Sequence, residues 1–150
     1  SANSQAPYNK MIKNKKQKGS NAERELIRML WARGYACVRA AGSGSTTFPS
    51  PDIIASNGKS TLAFECKSFS ADYVHLEHAQ IAQLVEFSQT FGADPWVAVR
   101  YEGRDWVFLD MARIQKTAGE NFKVSQSFAY DDGHTFDQLI ARYEKLENYK

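Results

Sequence analysis

The sequence predicts an α/β domain with a central mixed β-sheet flanked by helices. Two observations carry this. Apolar residues recur at helical spacing in three separate stretches, near the start, the middle and the end of the chain. Between them lie short runs rich in Val, Ile, Phe and Trp, bounded by turn residues, that read as strands. At 150 residues, 43% apolar and 13% aromatic, the chain is expected to form a single domain over residues 18–150 with a sizeable core. A polar, basic and flexible tail over residues 1–17 precedes it.

Ser20-Asn21-Ala22-Glu23 has the form of a capping box, with Ser20 as N-cap and Glu23 at N3. Ala22, Leu26, Met29 and Leu30 then follow at helical spacing, and Gly34 ends the helix. Tyr35 to Ala40 reads as a strand, and Ala41 to Pro51, rich in Gly, Ser, Thr and Pro, as a loop. Asp52–Ser56 and Ser60–Lys67 form a hairpin through a two-residue turn at Asn57-Gly58. A helix is expected from about His75 to Phe91, striped by Ile81, Leu84, Phe87 or Ser88, and Phe91, and stopped by Gly92 and Pro95. Trp96–Tyr101 and Asp105–Leu109 read as a second hairpin. A short helix at Met111–Lys116, an edge strand at Phe122–Phe128 and a helix at Thr135–Lys145 complete the chain.

The net charge of +2 hides an asymmetry. Residues 1–67 carry 11 Lys and Arg against 4 Asp and Glu, whereas residues 68–150 carry 8 against 13. A basic half fits a polyanionic partner; the alternative is a solvated tail in which Lys10, Lys13, Lys15, Lys16 and Lys18 are only exposed charge. Cys37 and Cys66 are too few for a disulfide scaffold and sit in strand-like runs, as buried reduced thiols do. No window approaches a membrane span and no signal-peptide pattern opens the chain, so an intracellular, cytoplasmic protein is the expectation.

The chemistry concentrates at Pro51-Asp52 and Glu65-Cys66-Lys67. Residues i and i+2 of a strand share a face, so Glu65 and Lys67 project together while Leu62, Phe64 and Cys66 face a core. The hairpin brings Asp52 beside Glu65. Two carboxylates and a lysine at the end of an apolar sheet are costly to bury unpartnered, and a divalent cation between the carboxylates removes that cost. The pattern suits metal-dependent hydrolysis of a phosphodiester. Asp52 and Glu65 would be ligands of Mg²⁺, the Cys66 carbonyl a third, and Lys67 a cation near the scissile phosphate. The bland alternative is a strand-end ion pair.

Glu23 carries two readings, a helix cap or a carboxylate leaning over the metal site as outer ligand or base. Arg24 and Arg28 share a helix face that either meets phosphates or is simply solvated. Gly19 and Ser20 lie at a helix N-terminus, itself an anion site. The hydroxyls and amides of Gly42-Ser43-Gly44-Ser45-Thr46-Thr47 suit a phosphate, or a flexible linker. His75 and His78, three apart at a helix start, lack the spacing of a zinc helix and read, with His134, as surface histidines.

Lys18-Gly19-Ser20, Ala22-Glu23-Arg24-Glu25-Leu26, Gly34-Tyr35, Val38-Arg39, Gly42-Ser43-Gly44-Ser45, Pro51-Asp52-Ile53-Ile54-Ala55 and Glu65-Cys66-Lys67 occur in this order. With them the chain resembles the archaeal-type Holliday junction resolvases, from about Lys16 to Tyr101, including the Gln80 and Phe87 helix and Pro95-Trp96-Val97-Ala98-Val99. The resemblance implies a restriction-endonuclease-like fold, a homodimer, and paired incisions across four-way junction DNA that depend on Mg²⁺, for which Mn²⁺ substitutes. It implies catalytic roles for Asp52, Glu65 and Lys67, for Glu23 on the first helix and for the loop Ser43. It implies DNA contact by Arg24 and Arg39, with Lys15, Lys16, Lys18, Ser43 and Ser45 as further candidates. Metal ligation would fall to Asp52, Glu65, Cys66 and Glu23. Other recombination proteins are conceivable partners. The insertion Thr46–Ser50 and the long tail depart from the family pattern, and the C-terminal third matches it weakly. Two rivals stand beside this reading: a related nicking or flap-type endonuclease, and a non-catalytic DNA-architectural protein that would not need Asp52, Glu65 and Lys67 together.

Overall fold

The structure, a computed structural model, describes residues 19–40, 48–111 and 122–147. The tail with Lys15, Lys16 and Lys18, the loop with Ser43 and Ser45, and the helix expected after Met111 lie outside the described residues. Helix α1 covers residues 19–32. It buries Ala22, Leu26 and Leu30 and ends in a Schellman turn. There Gly34 (φ +87°) donates to Trp31 O and Tyr35 N–H donates back to Leu30 O, at 3.1 and 3.0 Å. Strands β1 (Ala36–Arg39), β2 (Ile53–Ser56) and β3 (Thr61–Phe69) form an antiparallel meander.

Beyond β3 come β4 (Tyr73–Leu76), α2 (His78–Phe91), β5 (Asp94–Tyr101), β6 (Val107–Asp110), β7 (Phe122–Ser125), α3 (Gln126–Asp132), β8 (His134–Thr135) and α4 (Phe136–Glu147). The main sheet has six strands in the order β1-β2-β3-β5-β6-β8. Among the described residues only the β3–β5 pair is parallel, with α2 in the crossover, so the sheet is mixed, as the sequence predicts. A second antiparallel pair, β4 with β7, is not hydrogen-bonded into it.

Both faces of the main sheet are covered. On one, Leu62, Phe64, Trp96 and Phe108 pack with α1 and with Leu139, Ile140 and Tyr143 of α4. On the other, Ala63, Val97, Val99 and Leu109 pack with Ile81 and Leu84 of α2, Ala129 of α3, and the small sheet. Burial on both sides explains the unbroken apolar run of β5. Trp96, Val97, Val99, Trp106 and Phe108, more aromatic and aliphatic surface than one helix can cover, are therefore all buried within the chain and need no second copy.

Four local expectations are corrected. Ser56 pairs with Thr61, so the β2–β3 turn has four residues, closed by the Asn57 side chain accepting from the amides of Lys59 and Ser60 at 2.9 and 2.8 Å. His75 lies on strand β4, because Val74 and Leu76 alternate inward with a period of two and pair with β7; the helix begins only at His78. Phe128 belongs to α3, whose N-cap Ser125 accepts from the Phe128 amide at 3.1 Å. Helix α1 already includes Gly19 and Ser20, so Ser20 is not its N-cap. A capping box does occur, at Thr135 and Gln138: each side chain bonds the other's backbone amide, opening α4.

Candidate active site

Asp52 sits immediately before β2 and continues its ladder. Its N–H donates to Phe64 O and its carbonyl accepts from the Ala40 amide, both at 2.9 Å. Beyond this point β3 runs on without its neighbour, leaving the Cys66 N–H facing the vacated side. Asp52 Oδ2 accepts from that N–H at 2.8 Å, so the side chain replaces the missing strand and is fixed in place. Asp52 is only 9% exposed.

Glu65 and Lys67 project from one face of β3, as period two requires. Lys67 Nζ lies 3.8 Å from Glu65 Oε1 and donates to Gln80 Oε1, on the first turn of α2, at 3.1 Å. Burial first, and then the charge of Asp52, push the Glu65 carboxyl up to about 7; Glu23 and a hydrogen bond with Asp52 act in the same direction, and Lys67 opposes them. Asp52 and Glu65 are thus close enough to share a proton, the mark of two carboxylates forced into one site.

Glu23 reaches toward this pair from α1. Its Oε2 accepts from Arg39 Nε at 2.6 Å, and Arg39 Nη2 donates to Ser20 Oγ at 2.9 Å. Its partner is Arg39 rather than a backbone amide. Ser20 serves the same arginine. Both pair members are largely shielded, with side chains 18% and 26% exposed.

Cys66 brings its backbone to the site and turns its thiol into the core, where burial raises the thiol well above its ordinary range. Burial likewise pushes Cys37 up to about 11, so neither sulfur is a ready nucleophile or soft ligand. Among the described residues no three His, Cys, Asp or Glu side chains gather as a metal-binding group. The donors present are two carboxylates with the backbone of Cys66 beside them, and hard oxygen donors of this kind suit Mg²⁺ or Mn²⁺ rather than zinc.

Arg24 and Arg28 are on α1, Arg24 exposed and Arg28 at the rim of a groove. The groove, about 810 Å³, runs between Asn21 and Glu25 of α1, Ser68 and Ser70, and Arg100. Glu25 and Arg100 form an ion pair within it. His75 and His78 are exposed, and His134 lies against Trp96, ring centroids 5.5 Å apart. Two contacts were not legible from the sequence: Glu23 with Arg39, and Lys67 with Gln80. Nothing in residue spacing announces a partner on another element.

A family model described as archaeal Holliday junction resolvase (hjc) matches residues 14–147. The crossover junction endodeoxyribonuclease Hjc of Archaeoglobus fulgidus is 39% identical over 112 residues, spanning 75% of this chain and 82% of the relative. That of Methanocaldococcus jannaschii is 33% identical over 139 residues, spanning 91% and 96%. The solved structure of A. fulgidus Hjc, a Holliday junction resolvase from an archaeal hyperthermophile, superposes with a TM-score of 0.73 at 34% identity, covering 81% of this chain and 99% of that one.

Proposed function

The chain belongs to the archaeal Holliday junction resolvase family, and on that premise we propose that it is an endodeoxyribonuclease resolving four-way DNA junctions by paired incisions centred on Asp52, Glu65 and Lys67. The observation that carries the assignment is the convergence of these three side chains. Two carboxyls share a hydrogen bond, and a lysine ammonium lies 3.8 Å from one of them. Asp52 and Glu65, with the Cys66 carbonyl, would hold Mg²⁺ or Mn²⁺. Such a cation, when bound, offsets phosphate charge and makes a water more acidic.

The protein's own groups prepare the reaction. Asp52 is fixed by the Cys66 amide, so its carboxylate needs no reorganisation on binding. Burial and the Asp52 charge raise the Glu65 carboxyl to about 7, a cost to the charged pair that a bound cation would offset. Lys67 offers a compact positive charge to the non-bridging oxygens of the phosphate, where negative charge grows during attack. Glu23, held by Arg39, adds a third negative charge close to Glu65. Arg24 and Arg28 are the α1 cations nearest in sequence to Glu23, and Arg28 lines a groove along α1 that would take a flanking strand. Lys15, Lys16, Lys18, Ser43 and Ser45 would add contacts from outside the described residues.

Paired incisions require two such centres on one body with two-fold symmetry. Phe87 and Phe91 of α2 stack at 5.1 Å, and Phe91 is 56% exposed, which makes the end of α2 an apolar surface suited to a homodimer. The test is cleavage of a labelled four-way junction with Mg²⁺ beside a linear duplex of the same sequence. Symmetric cuts in the junction alone support the reading. Equal nicking of the duplex would point to a less selective endonuclease, and binding without cutting to an architectural role.

A further inference from the structure

We propose that Gln80 is a positioning residue that holds the Lys67 ammonium over the cleavage centre while leaving its positive charge available to the phosphate. The inference rests on the assignment of Asp52, Glu65 and Lys67 as that centre.

A lysine reaches its target through four flexible methylenes, and something must fix the ammonium if it is to meet one phosphate oxygen. Glu65 is a poor anchor. Its Oε1 stands 3.8 Å from Lys67 Nζ, well beyond the roughly 2.7–2.9 Å of a charge-assisted hydrogen bond. Gln80 Oε1 accepts from the same ammonium at 3.1 Å, a true hydrogen bond.

The anchor is rigidly mounted. Gln80 lies on the first turn of α2, and the next residue, Ile81, is buried with Leu84 and Ser88 over the sheet. Lys67 lies on β3, paired in parallel with β5 through Val99. The crossover helix and the strand it leaves thus clasp one side chain between them. The chemistry of the acceptor matters as well. A carboxamide is neutral, so it orients the ammonium without cancelling its charge, whereas a carboxylate in its place would compete with DNA for it.

The experiment compares Gln80→Leu, Gln80→Glu and Lys67→Ala with the wild-type chain. It records single-turnover cleavage of a saturating four-way junction with Mg²⁺, junction affinity, and thermal unfolding. Gln80→Leu should slow cleavage by about tenfold or more, with affinity within about twofold of wild type, because the interaction it removes serves the cutting step. Gln80→Glu keeps an acceptor oxygen at the same reach and should cut at least about threefold faster than Gln80→Leu. A packing role predicts the opposite order, since leucine packs better than glutamate on a half-buried helix face. Wild-type cleavage by Gln80→Leu, equal losses in both Gln80 variants, or a loss confined to affinity overturns the proposal. If Lys67→Ala itself cuts at the wild-type rate, the underlying site assignment fails. If Lys67→Ala is inactive and Gln80→Leu is normal, only the role of Gln80 fails.

Discussion

Arg39 Nε lies 2.6 Å from Glu23 Oε2, so the first helix and the edge strand of the sheet are joined through a carboxylate that also raises the proton affinity of Glu65. A structural tie and an electrostatic contribution to the site meet in one residue.

Glu23→Gln separates the two. The amide oxygen can still accept from Arg39, so the melting temperature should change little, while the negative charge is gone. Cleavage should fall by orders of magnitude with junction affinity retained. Normal turnover would reduce Glu23 to a clasp between α1 and β1. Arg39→Ala should do both kinds of harm: it removes a charge-assisted bond, costing about 1–3 kcal/mol of stability, and releases Glu23.

Asp52→Asn should abolish cutting and keep junction binding. Its side-chain oxygen can still accept from the Cys66 amide, so the local backbone should hold. Loss of one negative charge beside Glu65 removes a repulsion, and the variant should melt no lower than wild type at about pH 8 without divalent cation. Wild-type cutting by Asp52→Asn would refute the site assignment.

The Glu65 carboxyl gives a pH signature. Its ordinary value is 4.5 and burial, followed by the Asp52 charge, raises it to about 7 in the folded chain. A carboxyl raised on folding contributes stability that is present below about pH 4.5 and is lost as pH rises through about 7. At about 1.36 kcal/mol per unit, the loss amounts to about 3 kcal/mol. Unfolding curves without divalent cation should therefore show wild type falling behind Glu65→Gln between about pH 5 and about pH 8. Added Mg²⁺ should narrow that gap at the alkaline end. A gap that stays constant across the range would contradict the buried, charge-crowded environment.

Phe91→Glu should disrupt self-association. The ring stacks on Phe87 and is more than half exposed, and a carboxylate there opposes its own symmetry mate across a two-fold axis. Light scattering at micromolar concentration should shift from dimer to monomer, and junctions should be nicked once rather than cut in pairs. A wild-type chain that is monomeric under these conditions would remove the basis for the prediction.

Removal of residues 1–17 should flatten the salt dependence of junction binding. Residues 1–17 contain four lysines, Lys10, Lys13, Lys15 and Lys16, and no acid. For every lysine–phosphate pairing that the truncation removes, the slope of log affinity against log salt should shrink in magnitude by about 0.9. Single-turnover cleavage at saturating DNA should persist. An unchanged slope would mean that residues 18–150 alone grip the junction.

The sheet, its flanking helices and the catalytic strand are legible in the sequence because alternation and helical period survive in these elements. Leu62, Phe64 and Ala63 face two different cores, and Glu65 and Lys67 fall on one face by parity alone. The aromatic hairpin, whose apolar surface suggests a dimer face from the sequence, is covered within the chain: periodicity records that Trp96, Val97 and Phe108 are buried, not what buries them. Helices on both faces of the same chain do so. His75 fits the helix on paper because the residues before His78 suit either period, and pairing with β7, far along the chain, decides for strand. The Ser20–Glu23 spacing fits a capping box equally well; Arg39 from β1 takes both side chains instead. The Lys67–Gln80 contact, between β3 and α2, leaves no mark in the sequence at all.

The hydrogen bond from the Cys66 amide to Asp52 also makes one nucleus a gauge of the whole centre. An amide proton bonded to an ionised carboxylate resonates downfield, and its shift follows the charge on that oxygen. In ¹⁵N-labelled protein, the Cys66 cross-peak would register cation loading, titration of the shared proton and approach of a phosphate, without any label on DNA. Because this amide is already bonded to the buried Asp52 carboxylate, the proton should be among the slower ones to exchange with solvent. The signal would then persist under conditions in which loop resonances fade.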